Sequence, residues 1–321
     1  MNKKISLAFV STTILLVITI FIAINTGNIK ASPLEIFNLI FNKTSNSTLA
    51  ILDLRFPRII IAILVGAALA VSGLLLQTTL KNPLIDPSLV GVSGGANLIL
   101  YLGLLVSPSA IIYKSFFAIV GGIVGYLLIF AFARNIKNNV SIILIGIAIS
   151  SFFTGLLTSL SFLENTSKSL ARASLGMKSW EDVNLLLIWI PITIVIAILL
   201  AKVCNIFFLD DKIIASLGLN INLLRFTISL LAVILASIAT SVVGVIAFLS
   251  LIAPHIAKII VGKNHIYCLP FSALVGALIF LGFDTLGRSI FNPIEIPADI
   301  LMLVVGGPCF LILIKTGGKY E

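Results

Sequence analysis

From Phe226 to Ala257 the chain runs for 32 residues without an aspartate, glutamate, lysine or arginine. As one straight helix this stretch would be about 48 Å long, against the roughly 30 Å of a bilayer's hydrocarbon core. It is too apolar to be wetted along its length and too long to cross a membrane once. The stretch therefore has to break, and its sequence offers two places. Gly244 can take backbone conformations closed to other residues, and Pro254 has no amide hydrogen to give a helix. Two spans, 226–244 and 246–262, are expected, with a kink at Pro254 and a water boundary near Lys258.

Eight further apolar runs repeat the pattern: 5–24, 59–80, 92–106, 115–133, 140–163, 183–201, 267–288 and 300–314. The chain is 59% hydrophobic and 10% charged, where a soluble domain carries about a quarter charged residues. It cannot wet its own surface, so that surface faces lipid or another membrane-buried chain. An all-α polytopic membrane protein is expected, with about ten transmembrane helices in one domain over residues 1–321. Lys3 and Lys4 precede the first run as in a leader peptide, but the run is longer than a leader's apolar core. No small-x-small cleavage site follows it cleanly, so it is expected to stay as the first span. Small residues recur at four-residue spacing in Gly66–Gly73, Gly121–Gly125 and Gly146, Ser150 and Thr154. Such stripes let helix backbones approach closely in lipid.

Lysine and arginine collect on the cytoplasmic side of membrane proteins. Alternating the spans from a cytoplasmic N-terminus puts the larger share of the basic residues inside and most of the acidic ones outside, with both termini in the cytoplasm. Four hydrophilic segments then hold whatever chemistry there is. One is external and ends in Arg55-Phe56-Pro57-Arg58, whose arginines either anchor the helix at the headgroups or offer outward guanidiniums to a partner's carboxylates. Lys81-Asn82-Pro83-Leu84-Ile85-Asp86-Pro87 is a two-proline cytoplasmic turn. The cytoplasmic segment 207–224 has Asp210 and Asp211 where acids suit a helix start. A short helix through Lys212 and Ser216 to Leu217 follows, with Gly218 beyond its end and a second short helix expected after it. Arg288–Asp299 is external.

Several function classes are excluded or weakened. No phosphate-binding G-x-x-x-x-G-K-[ST] occurs, so the chain has no ATP site of its own. The three cysteines, Cys204, Cys268 and Cys309, are scattered in apolar settings and read as core residues, and neither a metal site nor any cofactor is indicated. Net charge is +9, yet no basic run or aromatic-basic interleaving points to nucleic acid. The spans bury almost nothing ionisable, Asp284 near an end being the closest case. Ion-coupled carriers commonly bury charged groups there. Gly91-Val92-Ser93-Gly94 fits the G-x-S-G of intramembrane serine proteases with His255 as a base, but the match is four residues long. His255 reads as a satisfied structural histidine.

Longer motifs then occur in order. Arg55-Phe56-Pro57-Arg58 resembles R-L-P-R; Gly66 to Gly73, with Gln77 and Asn82-Pro83-Leu84, resembles G-A-x-L-A-x-S-G…Q…N-P-L-A. Gly91 to Ala96 resembles L-G-x-x-x-G-A, and Ser216 to Asn220 resembles A-x-x-L-G-V-N. Phe248 to His255, with Pro254 and His255 closing it, resembles F-x-G-L-I-x-P-H. Asp284, Arg288, Glu295-Ile296-Pro297 and Gly306-Gly307-Pro308 resemble the closing motifs. Over about Asp53 to Gly318 the chain resembles the permease subunits of FecCD-type ABC importers for iron-siderophores, haem and vitamin B12. It departs at Ser250, usually glycine, at Lys258, usually arginine, and at Ala298-Asp299.

The resemblance implies a type II ABC importer permease fold and a transport subunit that is not itself an enzyme. It implies a second permease, identical or paralogous, two cytoplasmic ABC ATPases and an extracellular substrate-binding protein or lipoprotein, in the cytoplasmic membrane. Arg55, Arg58 and Arg288 match positions that dock the binding protein. Asp210, Asp211, Lys212, Ser216, Leu217 and Gly218 match the ATPase-coupling segment. Asn138, Asn139 and Ser141 are placed as gate residues on the fifth span. An iron compound is favoured as cargo over cobalamin.

Overall fold

A computed structural model describes residues 3–26, 51–133, 139–163, 175, 178–290 and 294–317. The described chain is helical with no strand. In order the helices are α1 (Lys3–Asn25), α2 (Phe56–Thr79), α3 (Val92–Val106), α4 (Lys114–Ala133), α5 (Asn139–Leu163), α6 (Trp180–Leu199), α7 (Ala201–Ile206), α8 (Asp211–Ser216), α9 (Ile221–Val243), α10 (Leu249–Val261), α11 (His265–Ser289) and α12 (Ala298–Gly317). A π-helical turn, Ile51–Arg55, leads into α2, and a 3₁₀ turn, Pro108–Tyr113, leads into α4. Among the described residues, seven stretches are long and apolar enough to cross a membrane, and α3, α10 and Ala298–Ile312 are shorter apolar helices.

The core forms around α2, which packs on α11, α9, α10 and α6. Most of its side chains are buried, as a helix apolar all round requires. Its closest neighbour is α11. A Cβ added at Gly66 would lie 2.4 Å from the Gly276 carbonyl oxygen, and one at Gly276 would lie 2.3 Å from that of Gly66. Only hydrogen fits between the two backbones there. A second group, α3 with α4, joins the core through α9, and α5 covers it. α1 lies outside against α11 and α10.

The long uncharged stretch breaks once. α9 ends at Val243, Gly244 takes φ 78°, and Phe248 takes φ 65° before α10 begins. Phe248 is a bulky residue in the left-handed region, which costs energy unless its surroundings hold it. Its ring lies tilted against that of Phe310 with centroids 5.9 Å apart, and its Cβ leaves no room for a side chain at Gly306.

Pro254 does not divide the stretch. It lies within α10, and the carbonyl its missing amide would have served, that of Ser250, accepts a hydrogen bond from Gln77 Nε2 at 3.2 Å. A side chain on α2 restores what the proline removes. Nor is there a second short helix after Gly218. Asn220 accepts from the Leu223 amide at 3.2 Å and caps α9, so residues 221–225 are the first turn of α9.

Candidate docking and coupling surfaces

At one end of α2 four ionic side chains meet. Arg58 donates from Nη2 and Nε to Asp284 Oδ1 at 2.8 and 3.0 Å and from Nη1 to Glu295 Oε2 at 2.7 Å. Arg288, one helical turn past Asp284 on α11, brings Nε to 3.2 Å from Asp284 Oδ2. Asp284 is 1% exposed, Arg288 3%, Arg58 12% and Glu295 38%. Thus the cluster has a buried floor and one open edge, Arg58 with Glu295.

The two deeper arginines also reach the end of α1. Arg288 Nη1 donates to the carbonyls of Thr26 and Ala23 at 3.3 and 3.5 Å, and Arg55 Nη1 donates to the carbonyl of Ile24. These are carbonyls at the C-terminal end of a helix, which lack partners of their own and sit at the negative end of the dipole. The expectation of outward guanidiniums therefore needs correcting. Arg55 and Arg288 point inward because an acid and a helix end within the same chain take them first.

Turn chemistry dominates the other end of α2. Thr79 is the last helical residue, and Lys81 takes φ 49°. Asn82 accepts from the Leu84 amide at 2.9 Å, which sets the turn before Pro83 resumes the chain. Asp86 is fully buried, its Oδ1 accepting from the amide and hydroxyl of Ser88 at 2.7 and 2.5 Å. Its Oδ2 accepts from the hydroxyl of Ser250. Burial raises the Asp86 pKa from the ordinary carboxylate range, against the pull of those hydroxyls. The serine that departs from the family's glycine thus holds a buried carboxylate. The lysine at the second departure, Lys258, donates to Gln77 Oε1 at 2.7 Å.

From this end hangs the loop that carries α8. Asp210 is its N-cap residue, and Gly218 takes φ 76° with its amide on the Ala215 carbonyl at 3.0 Å. Lys212, Ser216 and Gly218 are exposed. Ile214 is buried, whereas Phe208, Ile213, Leu217 and Leu223 are 56, 47, 60 and 58% exposed. Asp211 pairs with Lys81 at 2.8 Å and with Arg225 at 3.1 Å. Desolvation works to raise its pKa, but the bonds from Lys81 and Arg225 outweigh it and hold the carboxyl below its ordinary value.

The expectation of a satisfied structural histidine at His255 needs correcting. His255 is half-buried, and no hydrogen bond of its ring occurs among the described residues. His265 is the satisfied one: Thr78 Oγ1 lies 2.7 Å from Nε2, and Asn205 Oδ1 lies 2.8 Å from Nδ1. It fastens α7 and α11 to the end of α2. A lone histidine after Lys263-Asn264 gave no sequence signal for this beyond the N-cap asparagine. Ser93 Oγ is buried with no hydrogen-bond partner among the described residues, so no serine–histidine pair forms there. Asn138 lies outside the described residues, Asn139 opens α5, and Ser141 is half-buried on its first turn. Further along α5 a cleft of about 360 Å³ is lined by Leu89, Ile147, Ser150, Ser151 and Thr154.

The sequence model of the FecCD transport family matches residues 15–316. The chain belongs to this family. Two Staphylococcus aureus proteins, from strains bovine RF122 / ET3-1 and Newman, are each 38% identical to this FecCD chain over 314 residues, covering 98% of it and 96% of themselves. Both carry the name probable heme-iron transport system permease protein IsdF. A solved metal-chelate type ABC transporter in an inward-facing conformation matches with a TM-score of 0.79 at 29% identity, covering 97% of this chain and 99% of that one. As a FecCD member with this many apolar helices, the chain is a multi-pass membrane permease of the ABC type.

Proposed function

We propose that this chain is the membrane-spanning subunit of an ABC importer that carries an iron compound inward, with haem as the cargo. The observation that carries the mechanism is the loop around α8. Phe208, Ile213, Leu217 and Leu223 expose apolar surface on a segment flanked by Asp210, Asp211 and Lys212. An exposed apolar patch rimmed by charge is what a soluble partner covers. A cytoplasmic ATPase fits it, with Asp210, Asp211, Lys212, Ser216, Leu217 and Gly218 at the contact. The chain itself performs no catalysis in this reading.

The opposite end of α2 then faces outside and receives a substrate-binding protein. Arg58 is its contact, with Arg55 and Arg288 behind it. Acidic side chains on the binding protein suit an end where Arg55, Arg58 and Arg288 stand with two acids, Asp284 and Glu295. A second permease, a copy or a paralogue, completes the route. In this reading α5 lines that route, with Asn138, Asn139 and Ser141 as gate residues and the hydroxyls beside the Ser150 cleft further along. Neutral polar groups suit a bulky chelate that must not bind tightly in transit. Both termini lie in the cytoplasm, on the side of Lys81, Arg225 and Lys258.

Proteoliposomes holding the chain with its ATPase and binding protein test this directly. Haem uptake that requires all three components and ATP is expected. Uptake that persists without the ATPase would make the chain an ion-coupled carrier, and ATP-driven uptake of cobalamin but not haem would replace the cargo.

A further inference from the structure

We propose that Lys81 is a positioning residue that fastens the coupling helix α8 to the end of α2, so that force on α8 enters the bundle through its most central helix. The inference rests on the reading of α8 as the ATPase contact. α8 is six residues long and buries only Ile214 among its side chains, so packing alone does not fix it. What holds it is ionic. Lys81 Nζ lies 2.8 Å from Asp211 Oδ1 and donates to the Leu209 carbonyl at 2.7 Å, spanning both sides of the α8 start.

The backbone at Lys81 is adapted to this reach. With φ 49° it is in the left-handed region, which a glycine enters without cost and a lysine does not. The turn delivers a long cationic side chain from the last residues of α2 toward the loop. Arg225, on α9, completes the joint: it donates to Asp211 Oδ2 at 3.1 Å and, through Nε, to the Thr79 carbonyl at 2.9 Å. Above it the Ser229 hydroxyl donates to Thr79 Oγ1 at 2.9 Å and the Ser72 hydroxyl to the Ala232 carbonyl at 2.6 Å. α9 follows α8 along the chain; α2 does not, and through Lys81 it acquires a direct link. α2 is 24 residues long, about 36 Å, and ends at Arg58 and the outer ion cluster.

Asp211 is 51% and Lys81 35% exposed. A pair this wet contributes little to folding, so its loss should spare assembly and change coupling. This separates a positioning role from a structural one. The experiment uses the full complex in proteoliposomes with haem as the probe, and measures ATPase retained, basal ATP hydrolysis and haem moved per ATP. Lys81→Met is expected to keep the first two and to lower haem moved per ATP at least about fivefold, the low end of ordinary coupling free energies. Lys81→Arg is expected to restore it.

A chain with serine at Cys204, Cys268 and Cys309 and the pair Lys81→Cys and Leu209→Cys is expected to be uncoupled until a short bifunctional thiol reagent joins the two sites. Native haem movement per ATP in Lys81→Met overturns the proposal. So does a loss of assembly, or a cross-linked pair that stays uncoupled. If the native chain itself fails to retain the ATPase, the reading of α8 falls, and this inference with it.

Discussion

Asp284→Ala removes the one acid that two buried guanidiniums share. Its cost follows from which arginine has another option. Arg58 keeps Glu295 at 2.7 Å and is 12% exposed, so it can lean outward. Arg288 is 3% exposed, its Nη2 has no hydrogen-bond partner among the described residues, and the acid it pairs with is Asp284 at 3.2 Å. Stranding a buried ion costs about 3–5 kcal/mol, and with one of two cations rescued the low end, about 3 kcal/mol, is expected. At roughly 2 °C per kcal/mol for a chain of this size, purified protein in detergent should melt about 6 °C lower, as read from the emission of Trp180 and Trp189. Removing both partners, Asp284→Leu with Arg288→Met, should cost less than the single change. It gives up the two bonds to α1, about 1 kcal/mol, but leaves no orphan charge. A single variant that melts with the native chain, or a double variant below the single, would refute the reasoning.

Gln77→Leu strips the donor from the Ser250 carbonyl and the acceptor from Lys258, and should cost about 1–3 kcal/mol. In a Pro254→Ala background the new amide can serve Ser250, so the same change should cost measurably less in a double-mutant cycle of melting temperatures. Gly276→Ala drives a methyl into the Gly66 backbone and should cost about 1–3 kcal/mol, read by the same melt. Asp211 has a lowered folded pKa, so its pairing steadies the loop above the ordinary carboxylate value near 4 and is lost as pH falls through the folded value. Pepsin should cut the 207–218 loop faster across that acid window in the native chain, and Asp211→Asn should show no such step.

Helical class is legible because absence of charge over twenty residues leaves a backbone no other way to satisfy itself in lipid. Helix ends are legible where one residue dictates them: Gly244 turns the chain after α9, Asp210 stands at the start of α8, and Gly218 follows its end. What was not legible depends on partners far along the chain. Pro254 reads as a kink until Gln77, on another helix, is seen on the Ser250 carbonyl. Arg58 reads as an outward charge until Asp284, 226 residues on, is found beneath it. His265 carries no sequence signal of its own, because only the fold brings Thr78 and Asn205 to its ring. The ionic joint at α8 was half visible. Asp211 carried a signal as a helix starter, whereas Lys81 carried none, since its left-handed turn exists only once Asn82 and Pro83 have bent the chain.

The interruption between α9 and α10 bears on how the protein is made. α10 has 13 residues and rises about 20 Å, short of the bilayer's hydrocarbon. Among the described residues, the amides of Val245, Ile246 and Ala247 make no backbone hydrogen bond, and such groups do not rest in bare lipid. Leaving the ribosome, this segment has no stable position in lipid by itself. Its resting place is the groove offered by α2, where Gln77 meets the Ser250 carbonyl, and that helix is synthesised some 170 residues earlier. The late pair thus meets its polar partner on a helix made early, and not in lipid. A gene split between α9 and α10 would therefore leave the second piece with a short helix and the first with its partner α2, however hydrophobic each piece is.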